Sequence, residues 1–285
     1  MSKIFLLGVG CQKGGTTWIH DQLSKNEQCD FGFRKEYHVH DALHVPEHSG
    51  FLARAKKQAL KQIRNGNTSP NSLQRLSFIM NQDLYYDYFD YLYLKHSKTK
   101  IVGDITPEYS ALPEHALAQI RLNLELRGFK VKPVFIMRDP ISRCISQIEM
   151  MRRKGWKQLQ YKALRTMSLD NAVRVLGSST KCRINTLYCQ TIKNLERIFP
   201  QEDIFYSLYE NLFEKETLEK FSKFLEEDKL FFDTGHRVNK NSASYDERVK
   251  KSTRKLLFNS YSDVYEFCGE RFSASKAWDG WNYSK

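Results

Sequence analysis

The sequence predicts an α/β fold in which a central, mostly parallel sheet is flanked by helices on both faces. Short apolar runs of strand length alternate along the chain with longer segments of helical periodicity. Such alternation gives a mostly parallel sheet, because each helix carries the chain back to the edge where the next strand begins. The predicted strands span residues 4–9, 30–33, 101–104, 131–137 and 204–207.

The segments between these strands are longer and have the spacing of amphipathic helices. One of them, 73–94, is dense in tyrosine and phenylalanine. These rings either line a sugar-binding cleft by stacking or belong to the core and the half-buried surface. The predicted helices span residues 16–23, 51–64, 73–94, 113–128, 141–155, 169–176, 184–199, 218–225 and 244–267.

The first predicted strand runs directly into a glycine-rich turn and a helix, through Lys13-Gly14-Gly15-Thr16-Thr17-Trp18. In this arrangement backbone N–H groups and the helix dipole converge on a phosphate. A Walker loop has its lysine directly after the second glycine, whereas here Thr16 follows Gly15 and the lysine is Lys13. The alternative is a glycine turn that only closes an ordinary βα unit. With no repeat, linker or low-complexity tract, we expect one P-loop-like domain over residues 1–285.

The fourth predicted strand ends at Arg138, and Asp139-Pro140 then starts a helix. Arg143 and Ser146 lie three residues apart on this helix and share one face. A guanidinium fork and a hydroxyl group are both suited to binding a phosphate. Arg143 is alternatively a solvated helix residue.

The third notable segment, 34–41, is dense in groups that transfer protons or hold anions. A general base must lie within hydrogen-bond reach of the proton that it removes. Glu36, after the second predicted strand, is placed for this role, although a charged surface loop has the same composition. All three segments follow predicted strands, so we expect them to gather at one edge of the sheet.

These patterns resemble those of sulfotransferases that use 3′-phosphoadenosine 5′-phosphosulfate (PAPS), most closely the carbohydrate enzymes of the heparan sulfate type. K-G-G-T-T-W resembles their 5′-phosphosulfate loop, and R-D-P-x-x-R-x-x-S resembles their 3′-phosphate site. Lys35-Glu36-Tyr37-His38, with Asp41, matches their K-E-x-H-F-F-D segment except for its aromatic pair. Tyr188 lies in a segment similar to a family helix, and 237–242 resembles a distal loop that closes over the nucleotide.

The resemblance implies PAPS as donor, adenosine 3′,5′-bisphosphate as product, no metal, and a hydroxyl or amine acceptor, with a saccharide favoured over a protein tyrosine, lipid or phenol. Glu36 would be the general base, Lys13 would neutralise the departing nucleotide, and His38 would assist Glu36 or hold the acceptor. The implied acceptor-binding residues are Lys35, Asp41, Thr106 and Tyr109. The implied nucleotide-binding residues are Lys13, Gly14, Gly15, Thr16, Thr17, Trp18, Arg138, Ser146 and Tyr188.

The chain departs from the family pattern at Ile105, where a lysine commonly contacts the transferred group. Either Lys13 and Lys35 then handle the sulfonate alone, or another cation such as Arg34 reaches it. Thr106 and Tyr109, which follow, are alternatively a helix N-cap and a core aromatic residue.

The formal net charge of +12 fits anionic partners. The short basic clusters are either solvated helix faces or a surface for an acidic sugar, and no zinc-finger, RNP or basic-zipper signature indicates nucleic acid. The spacing of the six cysteines indicates reduced thiols. With no signal peptide and no membrane-length apolar run, we expect a cytoplasmic enzyme. Two other functions stay open: an ATP-dependent P-loop phosphotransferase, and a non-catalytic nucleotide binder.

Overall fold

The computed structural model describes residues 3–66, 71–154, 166–228, 230–235 and 248–284. Its centre is a parallel sheet with the strand order β2-β3-β1-β4-β5, which confirms the predicted α/β class. The strands are β1 (Lys3–Gly10), β2 (Cys29–Asp30), β3 (Ile101–Ile105), β4 (Phe129–Met137) and β5 (Phe205–Leu208).

The helices connect these strands and pack on both faces of the sheet. They are α1 (Thr16–Leu23), α2 (His40–His44), α3 (Gly50–Arg64), α4 (Asn71–Met80), α5 (Gln82–Lys95), α6 (Glu114–Glu125), α7 (Pro140–Lys154), α8 (Leu169–Leu176), α9 (Thr180–Arg183), α10 (Tyr188–Ile198), α11 (Lys215–Phe224), α12 (Lys251–Ser260) and α13 (Ser262–Arg271). Among the described residues, no helix is both long enough and apolar enough to span a membrane.

The predicted helix over 73–94 is wrong at its centre, where the chain breaks between α4 and α5. Asn81 is extended there, with φ −142°, and its side chain accepts a hydrogen bond from Asp83 N–H. Asparagine is a favoured N-cap residue, so this hydrogen bond starts a new helix, α5, and the predicted single helix is interrupted. The described part of the predicted helix over 244–267 likewise divides into α12 and α13, at Tyr261.

The predicted strand over 30–33 is also wrong beyond Asp30. The Asp30 carboxylate accepts a hydrogen bond from Gly32 N–H at 2.8 Å, and Gly32 has φ +69°. This local turn removes Phe31 and Phe33 from the sheet. The segment that contains Glu36 therefore reaches the sheet edge as an irregular loop and not as a strand end.

Alternate side chains of β1 enter two separate cores, as expected for a strand buried on both faces. Phe5 and Leu7 belong to the larger core, whereas Ile4 and Leu6 belong to the smaller one. Because β1 pairs with both β3 and β4, the loops that follow these three strands meet at one edge of the sheet.

Candidate active site

The glycine-rich turn after β1 is held in place mainly by its backbone. Cys11 N–H donates to the carbonyl oxygen of Ile136 at 2.7 Å, and Gly14 N–H donates to the carbonyl oxygen of Cys11 at 2.9 Å. Gly15 has φ +89°, and a Cβ placed on it would lie 2.6 Å from Cδ2 of Leu212. This position therefore requires glycine both for its backbone angle and for its space.

Helix α1 begins directly after this turn. Its N-cap, Gly15, provides no side-chain hydrogen bond, and its first turn contains no acidic residue. The first N–H groups of a helix lack partners within the helix and carry partial positive charge. Thr16 is buried beside this helix end, and Thr17 is exposed. The turn and the helix start form the arrangement that binds anions in phosphate loops.

Arg138, directly after β4, contacts the same turn. Its Nη1 donates to the carbonyl oxygen of Lys13 at 3.1 Å, and its guanidinium carbon lies 4.4 Å from the centre of the Tyr209 ring. Lys13 itself has φ +72°, and its Nζ lies 3.9 Å from Sδ of Met150. The structure thus brings the two predicted phosphate-binding segments into contact.

Tyr188 lies beneath these segments and not in an open pocket. Its side chain is fully buried. Its hydroxyl donates to the carbonyl oxygen of Arg138 at 2.8 Å and lies 3.4 Å from Sγ of Cys11. The predicted direct contact between Tyr188 and nucleotide is therefore corrected to a supporting role, in which Tyr188 joins the end of β4 to the turn.

Arg143 and Ser146 are both buried, so the alternative of a solvated Arg143 is wrong. Nη2 of Arg143 donates to the carbonyl oxygen of Cys182 at 3.0 Å. Nε and Nη1 of Arg143 and Oγ of Ser146 have no hydrogen-bond partner. Buried polar atoms are normally paired. These orphaned donors on one helix therefore fit an oxyanion.

Trp18 lies in the smaller core, with only 2% of its surface exposed. Its ring packs edge-on against Phe213 at 5.0 Å and is stacked on Phe232 at 6.2 Å between ring centres. Both phenylalanines belong to segments that follow β5. The predicted binding of nucleotide by the Trp18 side chain is thus corrected to core packing that supports α1.

Glu36 lies beside the phosphate-binding turn, and 37% of its side chain is exposed. Lys35 Nζ donates to Glu36 Oε1 at 2.5 Å and to Thr16 Oγ1 at 3.3 Å. On the other side, His38 Nε2 lies 3.5 Å from Glu36 Oε2, and its Nδ1 lies 2.9 Å from Oδ2 of Asp41. Lys35 therefore joins the candidate base to the anion-binding turn, as the predicted gathering of the loops requires.

The charges around Glu36 fix its protonation state. Burial raises the pKa of Glu36, but the hydrogen bond from His38 and the charge of Lys35 outweigh it and lower the pKa to about 2. Burial lowers the pKa of His38, but Asp41 and Glu108 outweigh this effect and raise it to about 10. Near neutral pH, Glu36 is a carboxylate and His38 is an imidazolium.

Asp104, at the end of β3, is a residue that sequence reasoning missed. It is fully buried and accepts hydrogen bonds from Thr106 Oγ1 at 2.6 Å, Tyr109 OH at 2.8 Å and Tyr85 OH at 3.0 Å. Burial raises its pKa to about 6 despite these three donors. A charged residue in the apolar end of a buried strand is the sequence signal that marks such a residue.

Thr106 and Tyr109 are themselves buried, which corrects their predicted contact with an acceptor. Thr106 Oγ1 accepts a hydrogen bond from Tyr37 N–H at 3.0 Å, and the Tyr109 hydroxyl accepts one from Val39 N–H at 3.3 Å. Asp104 and these two hydroxyls thus fix the backbone on both sides of His38, whose φ is +51°. Thr106 is also the N-cap residue of a short 3₁₀ helix, as the alternative stated.

Asp41 is likewise fully buried, so its side chain orients His38 instead of contacting an acceptor. Glu108, which sequence reasoning also missed, accepts a hydrogen bond from Gln12 Nε2 at 2.8 Å. Glu108, Glu36 and His38 each offer one atom that could bind a metal ion, and these three atoms lie within 4.8 Å of one another. Burial raises the pKa of Glu108.

Ile105 is buried against Gly8, where an added Cβ would lie 2.8 Å from Ile105 Cγ2. Its N–H donates to the carbonyl oxygen of Lys35 at 3.2 Å. The residue that replaces the family lysine is therefore next to Lys35, whose ammonium group lies at the turn. The predicted distal loop, 237–242, lies outside the described residues.

The family model described as "Sulfotransferase family" matches residues 5–216 of this chain. The chain belongs to the sulfotransferase family. This sulfotransferase shares its fold with a sulfotransferase from Alicyclobacillus acidocaldarius, at 17% identity and a TM-score of 0.63 over 97% of this chain and 100% of the other.

The sulfotransferase domain of the Synechococcus PCC 7002 olefin synthase is a more distant structural match. Its identity is 16% and its TM-score 0.47, over 92% of this chain and 88% of that domain. No curated protein matches the sequence significantly. The family match identifies the chain as a sulfotransferase enzyme.

Proposed function

We propose that this sulfotransferase transfers the sulfonate of PAPS to a hydroxyl or amine group of a saccharide, with Glu36 as the general base. One observation carries the proposal: Lys35 Nζ binds both Glu36 and Thr16 Oγ1. This lysine places the candidate base next to the turn that is built to hold a phosphate.

The residues present fit PAPS as the donor. The turn and the start of α1 offer backbone N–H groups, two threonine hydroxyls and no carboxylate in the first turn. The second cluster, Arg138, Arg143 and Ser146, offers cationic and hydroxyl donors, several of them buried and unpaired. Two separate sets of anion-binding donors suit a nucleotide with phosphates at both ends of its ribose. Arg138 and Ser146 would hold the 3′-phosphate, which ATP lacks.

PAPS, when bound, supplies an activated sulfonate, whose transfer resembles phosphoryl transfer in its dependence on positioning and charge stabilisation. Glu36 accepts the proton of the acceptor hydroxyl or amine. Lys13, Lys35 and the N–H groups at the start of α1 stabilise negative charge at the turn. Lys35 lies between Glu36 and the turn.

His38 acts through Glu36 in this mechanism. Because Asp41 binds Nδ1 of His38, Nε2 is directed to Glu36. The imidazolium keeps Glu36 deprotonated and fixes the orientation of its carboxylate. Asp104 and Thr106 in turn fix the backbone that carries His38.

Incubation with PAPS that is radiolabelled in its sulfonate tests this function, in parallel reactions that contain either magnesium or a metal chelator. The acceptors are a panel of hydroxyl- and amine-bearing saccharides, and ATP labelled in its terminal phosphate is offered in parallel. We expect label transfer from PAPS only. Transfer of the ATP phosphate, with a requirement for magnesium, would replace the proposal with phosphotransfer.

A further inference from the structure

A cleft of about 400 Å³ opens beside Glu36. Four of its eight lining residues are arginine or lysine, whereas Glu36 is the only carboxylate among them. The lining residues are Arg34, Lys35, Glu36, His38, Phe51, Arg54, Gln58 and Arg75. Such a surplus of positive charge in a concave site attracts anions.

The arginines of this cleft lack anionic partners. Arg75 is only 2% exposed, and its Nε donates to the carbonyl oxygen of Tyr37 at 2.6 Å. Its Nη2, and Nε of Arg34, have no hydrogen-bond partner. Within the described part of the chain, no carboxylate forms an ion pair with Arg34, Arg54 or Arg75. A buried guanidinium is normally paired, because leaving its charge uncompensated is costly.

The neighbouring charges make this imbalance larger. Burial and the charge of nearby Arg34 together lower the pKa of Arg75 to about 10, although the charge of Asp41 opposes this shift. Glu36 does not neutralise the arginines, since it is already bound by Lys35 and faces His38. The positive charge of the cleft is therefore not neutralised by the residues that line it.

Phe51 gives the cleft a flat apolar wall. Its ring is stacked on His38, with 3.8 Å between ring centres and an interplanar angle of 15°. The guanidinium carbon of Arg54 lies 5.3 Å from the centre of the same ring. A flat ring beside guanidinium groups is suited to a cyclic molecule that carries an oxyanion.

We propose that Arg34, Arg54 and Arg75 bind a carboxylate or sulfate group of the acceptor, so that the acceptor of this enzyme is itself acidic. The inference rests on the proposed function, and it assigns the acceptor side of the same site. Guanidinium forks bind carboxylate and sulfate oxygens in two-point contacts. The anionic group would fix the acceptor in the cleft and so present its hydroxyl or amine to Glu36.

Calorimetric titration of the full chain tests the inference. The enzyme is first saturated with adenosine 3′,5′-bisphosphate, which occupies the nucleotide-binding donors. Sodium glucuronate, inorganic sulfate and the neutral match glucose are then titrated separately. The Arg34→Gln/Arg54→Gln double variant removes two guanidiniums and leaves the buried Arg75 in place. Arg64→Gln is the matched control, because Arg64 lies on the same helix as Arg54, α3, but is exposed and does not line the cleft.

We expect glucuronate, sulfate or both to bind to the wild-type enzyme and to the Arg64→Gln variant with equal affinity. In the double variant this affinity falls by about tenfold or more, since charge-assisted hydrogen bonds are lost. Binding of glucuronate alone indicates a carboxylate acceptor, and binding of sulfate alone indicates a sulfated one. The inference is wrong if neither anion binds, if glucose binds as well as glucuronate, or if binding survives in the double variant.

The saturation step separates the two proposals. If adenosine 3′,5′-bisphosphate does not bind, the proposed function itself fails. If the nucleotide binds and the anions do not, only the acidic acceptor is excluded.

Discussion

The two halves of the candidate active site are held in place in different ways. The glycine-rich turn is fixed by its own backbone, through Cys11, Gly14 and the left-handed Gly15. The segment that carries Glu36 is an irregular loop fixed by buried side chains, chiefly Asp104 and Thr106. The turn therefore depends on local conformation, whereas the base depends on contacts with distant parts of the chain.

The two halves also differ in charge balance. At the turn, hydrogen-bond donors predominate, and the proposed binding partner is the nucleotide. Around Glu36, a carboxylate lies between two cations, Lys35 and His38. Lys35 belongs to both halves, because it also binds Thr16. A change in one half, at a residue other than Lys35, should alter nucleotide affinity or turnover, but not both equally.

The largest expected effect is that of Glu36→Gln, which keeps the shape of the side chain but removes the base. We expect turnover to fall by about 100-fold to 10,000-fold, the usual range for general-base catalysis, while affinity for adenosine 3′,5′-bisphosphate is unchanged. Sulfonate-transfer kinetics and calorimetry measure the two quantities. The exposed Glu202→Gln variant is the control. Unchanged turnover in Glu36→Gln would remove Glu36 from the mechanism.

Gly15→Ala should lower nucleotide affinity more than turnover, because it changes the glycine-rich turn. A left-handed conformation costs a non-glycine residue about 1–2 kcal/mol, and the new Cβ would meet Leu212. We expect affinity for adenosine 3′,5′-bisphosphate to fall by about tenfold or more. Gly50→Ala is the matched control, since a Cβ there meets nothing within 4 Å. Equal affinities for the two variants would contradict the role of this turn.

Thr106→Val tests the support of the base. The substitution keeps the volume but leaves Tyr37 N–H without its hydroxyl acceptor. We expect a loss of about 1–3 kcal/mol in the free energy of unfolding, the cost of an unsatisfied buried donor, together with lower turnover and unchanged nucleotide affinity. Denaturant unfolding and kinetics measure these effects, with the exposed Thr180→Val as control. A loss of nucleotide affinity as large as the loss of turnover would show that the two halves are not separable.

His38→Gln should change the pH dependence more than the rate at neutral pH. In the wild-type enzyme the pKa of Glu36 is about 2, so its base form persists at acid pH. Without the imidazolium, this pKa should rise toward its ordinary value of 4.5. The acid limb of the kcat/KM profile should then move to higher pH. An unmoved acid limb would show that His38 does not control Glu36.

The sequence predicted the turn better than the base segment, for the physical reason given above. The conformation at Gly15 and Thr16 is determined by the local sequence, so the turn and the start of α1 lie where the motif predicts them. The loop around His38 has no such local signal, since its conformation comes from the buried carboxylate of Asp104, far along the chain. Motif matching identified Thr106, but could not distinguish a buried support from an exposed contact.

The most direct test of the central claim compares adenosine 3′,5′-bisphosphate with ADP by calorimetry, in the wild-type enzyme and in Arg138→Ala. We expect the bisphosphate to bind more tightly without metal, by about tenfold or more, because in the proposed mode Arg138 and its neighbours would hold the 3′-phosphate through charge-assisted hydrogen bonds. This preference should disappear in Arg138→Ala. Equal or tighter binding of ADP to the wild-type enzyme, or a preference that survives in Arg138→Ala, would contradict the account.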